Sequence, residues 1–255
     1  MIENINSLRV PELQLLIDKF APFFAEVRKR IIFTLFVFVF ASGAGFAFYE
    51  KIIKFLIDVF SLKGINIVFT SPFQFINLAI ACGIATGLVL VFPLIMYQLF
   101  SFLKPALRKK EYRMINSFLP FSIILFLIGF LFGALIMRWQ IQIFLASATS
   151  LGIGNILDIS QLLTTVILTS TFLGAGFQFP VVLLLLLRAH LIKRSQLSSR
   201  RRWVYLASFI FAVLLPADSI LADILLTLPL VVLFECTLVM DYFLAGKEIK
   251  NLKTK

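Results

Sequence analysis

Residues 73–103 read FQFINLAIACGIATGLVLVFPLIMYQLFSFL, a long apolar run preceded by Ser71-Pro72. Ser71 is placed as a helix cap, and Pro72 suits the first helical position, where a missing N–H needs no partner. Gln74 can then reach back to complete a capping box. A helix over this run measures about 46 Å at ~1.5 Å per residue, against a hydrocarbon core of about 30 Å. It must tilt, project into water or bend, and Pro93 supplies a place to kink.

Working outward from this segment, five more apolar runs follow the same logic. They cover Ile31–Tyr49, Met114–Met137, Gln161–Leu187, Trp203–Leu215 and Ile220–Met240. The third span contains Gly129 and Gly133, spaced to let another helix approach closely. The expected fold is an all-α integral membrane protein with six transmembrane helices. The fifth run reaches only about 20 Å. It is either a half-buried hairpin packed on the rest or a region of thinned membrane. Two amphipathic stretches, residues 10–24 and 50–63, are expected to lie at the membrane surface. Three segments result: 1–30 as an interfacial helix and basic segment, 31–243 as the membrane domain, and 244–255 as a basic tail.

Composition agrees with this class. Hydrophobic residues make up 60% of 255 positions, 30 of them Phe, and mean hydropathy is +1.01. An ordinary soluble domain is about half apolar. The net charge of +11 is carried by loops between spans rather than by one soluble face, which points to anionic lipid headgroups and not to nucleic acid. Cys82 and Cys236 both fall in apolar runs and are expected to be buried small hydrophobes. Met1–Phe24 does not read as a cleavable signal, nor as an Arg- and Ser-rich import presequence.

Orientation follows from the cations. Of 24 Lys and Arg, four (Lys51, Lys54, Lys63 and Arg138) fall on one side and the other twenty on the opposite side. Both termini therefore face the cytoplasm or stroma.

No constellation points to catalysis or to a cofactor. His190 is the one histidine and sits in a basic loop, and Gly174-Ala175-Gly176 lacks the lysine and strand of a phosphate loop. The informative polar residues form three groups. Glu26 and Glu111 precede the first and third spans on the basic side. They are either local ion pairs or a receptor for a cationic ligand, for which arginine's planar fork is suited. Gln161, Thr164, Thr171, Gly174 and Gln178 make a small polar stripe along the fourth span, for helix packing or for docking a partner or substrate. Asp218 and Asp223, with Pro216, mark the outer end of the last hairpin, and Glu235 lies near the inner end of the sixth span. Each buried acid needs a partner or water.

Taken together these residues resemble the TatC family, the multispanning subunit of the twin-arginine protein translocase. The most specific run is Phe92-Pro93-Leu94-Ile95-Met96-Tyr97-Gln98, continuing through Phe102, Lys104-Pro105-Ala106-Leu107, Glu111 and Arg113. Glu26-Val27-Arg28-Lys29-Arg30, Ser71-Pro72-Phe73, Gly174 to Pro180, Arg201-Arg202, Pro216 with Asp218, and Pro229 through Glu235 extend it. The resemblance implies six helices with the last two short. It also implies binding of twin-arginine signal peptides and passage of folded proteins driven by the proton-motive force. The implied partners are small single-span TatA/TatB-type subunits and further copies of the chain. Glu26 and Glu111 match the family's recognition carboxylates, with Arg28 in the same signal-peptide site. Three positions depart from the family pattern: Phe23-Phe24 replaces His-Leu, Gln178 replaces a frequent glutamate, and Leu215-Pro216 replaces Thr-Pro. The alternative function is a small-solute secondary transporter, which typically shows inverted repeats that are not found here. High Phe, Ile and Lys with little Gly is most similar to plastid-encoded members in a thylakoid membrane. A bacterial inner membrane is the other location.

The orientation is directly testable. Cysteines placed in the 104–113 loop should react with an impermeant thiol reagent from the cytoplasmic or stromal face only. Labelling of that loop from the opposite face would overturn the topology.

Overall fold

A computed structural model of the chain describes residues 3–60, 66–68, 71–103, 118–150, 156–188, 191–192, 194–216 and 219–253. The elements in order are α1 (Glu3–Ala47), α2 (Tyr49–Val59), β1 (Asn66–Val68), α3 (Pro72–Leu103), α4 (Phe118–Ser150), β2 (Ile156–Asp158), α5 (Ile159–Gly176), α6 (Phe179–Arg188), α7 (Arg194–Ser199), α8 (Arg201–Val213) and α9 (Ile220–Lys253). Five stretches are long and apolar enough to cross a bilayer: Ala25–Ala47, Pro72–Phe102, Leu119–Ala148, Ile159–Leu187 and Ile220–Tyr242. With the short α8 as the sixth crossing, the six-helix expectation holds.

The start of α3 follows its sequence. Gln74 Oε1 accepts from the Ser71 backbone N–H at 3.2 Å, and the Phe73 N–H points at Ser71 Oγ at 3.4 Å. Helix α3 then runs unbroken through Pro93 to Leu103. Helix α2 lays Ile52, Ile53 and Leu56 against buried Phe60, Leu78 and Cys82, while Lys51 and Lys54 stay exposed. That is the amphipathic face expected of a helix along the outer surface.

Several boundaries depart from the sequence reading. The 10–24 stretch belongs to the same unbroken helix as the first span, because α1 runs from Glu3 to Ala47. The third span continues past Met137 to Ser150 as α4. The fourth span is two helices, parted at Phe177-Gln178. Pro180 explains this break, since it has no N–H to donate and its ring crowds the carbonyl four residues back. At the break the Gln178 N–H turns to Ala175 O at 3.0 Å, a tighter turn than the α-helix makes. A parallel strand pair, β1 with β2, joins Asn66–Val68 to Ile156–Asp158. Three residues per strand are too few for a sequence pattern to announce. Cys82 is fully buried as expected, but Cys236 is exposed on the outward face of α9.

Packing divides into an outer and an inner half. The largest core joins Phe92, Met96, Phe126, Leu173, Phe177 and Leu226 from α3, α4, α5, the break and α9. A second core on the outer side gathers Leu78, Cys82, Met137 and Leu163, and a third on the inner side gathers Leu187, Leu197 and Phe234. Lipid-facing positions are apolar too; Phe36 and Phe40 of α1 are 72% and 78% exposed.

Small residues set the closest approaches. A Cβ on Gly133 would sit 2.8 Å from the Ser170 Cα, and one on Gly129 would sit 2.6 Å from Phe177 Cγ. The Gly129/Gly133 pair thus brings α4 onto α5, as its spacing suggested. The same device joins α1 to α3, where a Cβ on Gly83 would come 2.9 Å from the Ser42 carbonyl oxygen.

Gly133→Ala is therefore expected to destabilise by about 1–3 kcal/mol, read as a lower midpoint of thermal unfolding in detergent. Gly43→Ala, with nothing within 4 Å, should leave the midpoint unchanged or slightly raised.

Candidate functional site

At the inner face, α1 presents Glu26 and Arg30 one turn apart, and the last two turns of α3 present Gln98 and Ser101. Arg30 ties these together. Its Nη2 donates to Glu26 Oε1 and to Ser101 Oγ, the latter at 3.3 Å, while Nη1 donates to the Gln98 carbonyl at 3.0 Å. The Thr34 hydroxyl donates to Gln98 Oε1 at 2.7 Å. A cation at the end of α3 also meets the negative end of that helix's dipole.

The Glu26 side chain stays 57% exposed while Arg30 is 25% exposed. An exposed pair of this spacing is worth only about 0.3–0.5 kcal/mol, so the carboxylate is oriented without being consumed. Its partner is Arg30 rather than the adjacent Arg28 or Lys29, both of which are exposed. The roles of Arg30, Thr34, Gln98 and Ser101 were not read from the sequence. The four-residue step from Glu26 to Arg30 was available; the contacts to α3, across about seventy residues, were not. Glu111 and His190 lie outside the described residues.

The polar stripe of the fourth span faces into the chain for much of its length. Thr171 is buried and its hydroxyl donates to Ile167 O at 2.8 Å. Gly174 lies against Phe126, 3.1 Å from its carbonyl oxygen once a Cβ is added. Gln178, only 4% exposed, accepts from Ser122 Oγ at 2.6 Å and donates back to Ser122 O at 3.1 Å. Ser122 was the missed partner. Gln161 is exposed at the outer end, where its N–H bonds Asp158, the cap of α5, at 3.1 Å. Asp158 also accepts from Gln74 Nε2, so one carboxylate ties the starts of α3 and α5 together.

In the last hairpin, Pro216 is half-buried and Asp218 lies outside the described residues. Asp223 sits in the first turn of α9, where the helix dipole favours an anion, and its N–H donates to Ser219 O at 3.0 Å. Glu235 has the partners a membrane carboxylate requires: the Tyr205 hydroxyl donates to it at 2.6 Å, and Arg201 lies 3.6 Å away. These contacts join α9 to the inner half of α8. Among the described residues, no three His, Cys, Asp or Glu side chains are grouped to hold a metal ion.

The arrangement is an exposed carboxylate, Glu26, paired with Arg30 where α1 meets the end of α3, on a bundle with buried polar joints at Gln178 and Thr171. The family model for "Sec-independent protein translocase protein (TatC)" matches residues 22–229. A TatC from Listeria innocua is 30% identical over 237 residues, covering 90% of this chain and 94% of that protein. TatCy from Bacillus subtilis is 29% identical, covering 85% of this chain and 86% of its own length. A crystal structure of the twin-arginine translocase receptor TatC in DDM superposes with a TM-score of 0.76 at 26% identity, covering 85% of this chain and 98% of that one. The chain belongs to the TatC family, and is a multi-pass membrane component of the Sec-independent protein translocase rather than a small-solute transporter.

Proposed function

We propose that the inner face of this chain receives the paired arginines of a signal peptide, with Glu26 and Glu111 as carboxylate receptors and Arg28 beside them. One observation carries the reading: Glu26 already holds a guanidinium, that of Arg30, in an exposed and weakly bound contact. The geometry suited to one arginine suits a second that competes for the same oxygens. The solved relatives, described as twin-arginine translocase receptors, support it. Small single-span TatA/TatB-type helices and further copies of the chain complete the translocase, and the proton-motive force drives folded cargo across. The Phe-rich composition supports a thylakoid membrane as its location; the named relatives are bacterial, which supports a bacterial inner membrane as the alternative.

Gln178, Thr171 and Gly174 form an intramembrane polar site in this reading. The Gln178 amide keeps its Ser122 partner in the resting chain, and a partner helix docking at this depth exchanges that bond for its own. An amide cannot change charge, so this position contributes hydrogen bonding and not proton transfer.

Glu26→Gln and Glu111→Gln should each weaken photocrosslinking of a twin-arginine signal peptide about tenfold or more, the loss expected for a charge-assisted hydrogen bond. A twin-lysine peptide should already be captured poorly by the unaltered protein. Equal capture by the unaltered and both altered proteins would overturn the receptor role. For the intramembrane site, a double-mutant cycle of Ser122→Ala with Gln178→Leu should give a coupling of about 0.6 kcal/mol, and at most ~1.7. Zero coupling would remove the Ser122–Gln178 bond from the account.

A further inference from the structure

Between α6, α7 and α8, on the inner side, lies a groove of about 390 Å³ that the signal-peptide reading does not use. Its walls are Phe179 of α6, Leu197 of α7, and Val204 and Ala207 of α8; Arg200 and Trp203 stand at its mouth. From Arg200 to Ala207 the groove follows α8 for about 10 Å at ~1.5 Å per residue. With α8 as a crossing, Arg200 at its basic end belongs at headgroup depth and Ala207, half-way along, belongs in the hydrocarbon region. Trp203 is 60% exposed near that basic end, where amphipathic rings are favoured.

The charges at the mouth select the occupant. Arg201 is engaged by Glu235 at 3.6 Å, and Arg194 stacks over the Tyr242 ring at 4.8 Å. Arg200 is exposed, and no acceptor among the described residues holds its guanidinium. Arg202 follows it in sequence and is also exposed. Of the acids on the inner part of α9, Glu235 is already held by Arg201 and Tyr205, and Asp241 is buried and engaged within the chain. A cationic rim above an apolar slot fits a molecule with one negative group attached to a hydrocarbon chain.

We propose that this groove is a binding site for one anionic phospholipid of the inner leaflet, its phosphate on Arg200 and an acyl chain along Phe179, Val204 and Ala207. Helix α8 is only 13 residues long, about 20 Å. A lipid seated here fills the space beside a helix too short to span the bilayer alone and ties it to α6. None of the residues lining the groove belongs to α1, which carries Glu26.

The test uses the full chain with Trp139→Phe, leaving Trp203 as its one tryptophan, in phosphatidylcholine vesicles carrying a fixed minor share of acyl-brominated lipid. Trp203 fluorescence should report about fivefold enrichment of brominated phosphatidylglycerol over brominated phosphatidylcholine, the preference expected of one arginine near the surface. Arg200→Gln should abolish the preference and Arg200→Lys should retain most of it. Ala207→Phe, which fills the slot and leaves the cations in place, should also abolish it. Equal quenching by the two lipids in the parent chain would overturn the site. So would a preference that survives both Arg200→Gln and Ala207→Phe in variants that unfold at the parent's temperature.

Discussion

Inside a bilayer, an apolar helix gains little by leaving acyl chains for another apolar helix, so close contact between backbones must hold this bundle together. Glycine makes that contact possible at the two principal joints. Gly133 and Gly129 bring α4 onto α5 and the break beyond it, and Gly83 brings α3 onto the Ser42 carbonyl of α1. The large aromatic residues then fill what remains: Phe92 and Phe126 stack at 4.3 Å between ring centres in the main core. The many exposed Phe and Ile side chains are consistent with this arrangement, since they face lipid and not water.

The same solvent makes each polar group inside the membrane informative. Gln178 is satisfied by both ends of Ser122, Glu235 by Tyr205 and Arg201, and Thr171 by its own helix. Each of the first two joins elements that the chain connects only through loops. Polar contacts therefore specify which helix faces which, a task that nonspecific apolar contact performs poorly. Glu26 differs, because its pairing is exposed and weak. A carboxylate held open at the membrane surface, beside cations that draw it no further inward, is suited to exchange partners.

What the sequence made legible follows from the range of each signal. The presence of the spans, the capping box at Ser71–Gln74, the apolar face of α2 and the short α8 are local patterns, and they appear in the structure, although the third span runs on to Ser150. The side assignment rests on a twenty-to-four imbalance of Lys and Arg. The break at Gln178 was also written locally, in Pro180, but a continuous apolar run obscured it. The Ser122–Gln178 and Arg30–Gln98 contacts depend on how distant helices rotate about their axes, which no local pattern encodes. The β1–β2 pair is similar: it depends on two loops meeting at one end of the bundle.

The interruption of the fourth span has a consequence for the site as a whole. A continuous helix from Ile159 to Arg188 would carry Gln161, Thr164, Thr171 and Gln178 along one face. The break at Phe177-Gln178 instead divides the contacts, with α6 packing on α9 while α5 stays with α4. Gln178 sits at that joint with its amide fixed to α4, so the hydrogen bonds to Ser122 and the tight turn to Ala175 hold the same point from two sides. The cost of breaking the helix in lipid is offset because the freed backbone is enclosed by protein there. Gln178 thus carries its hydrogen bonds at a joint that protein encloses.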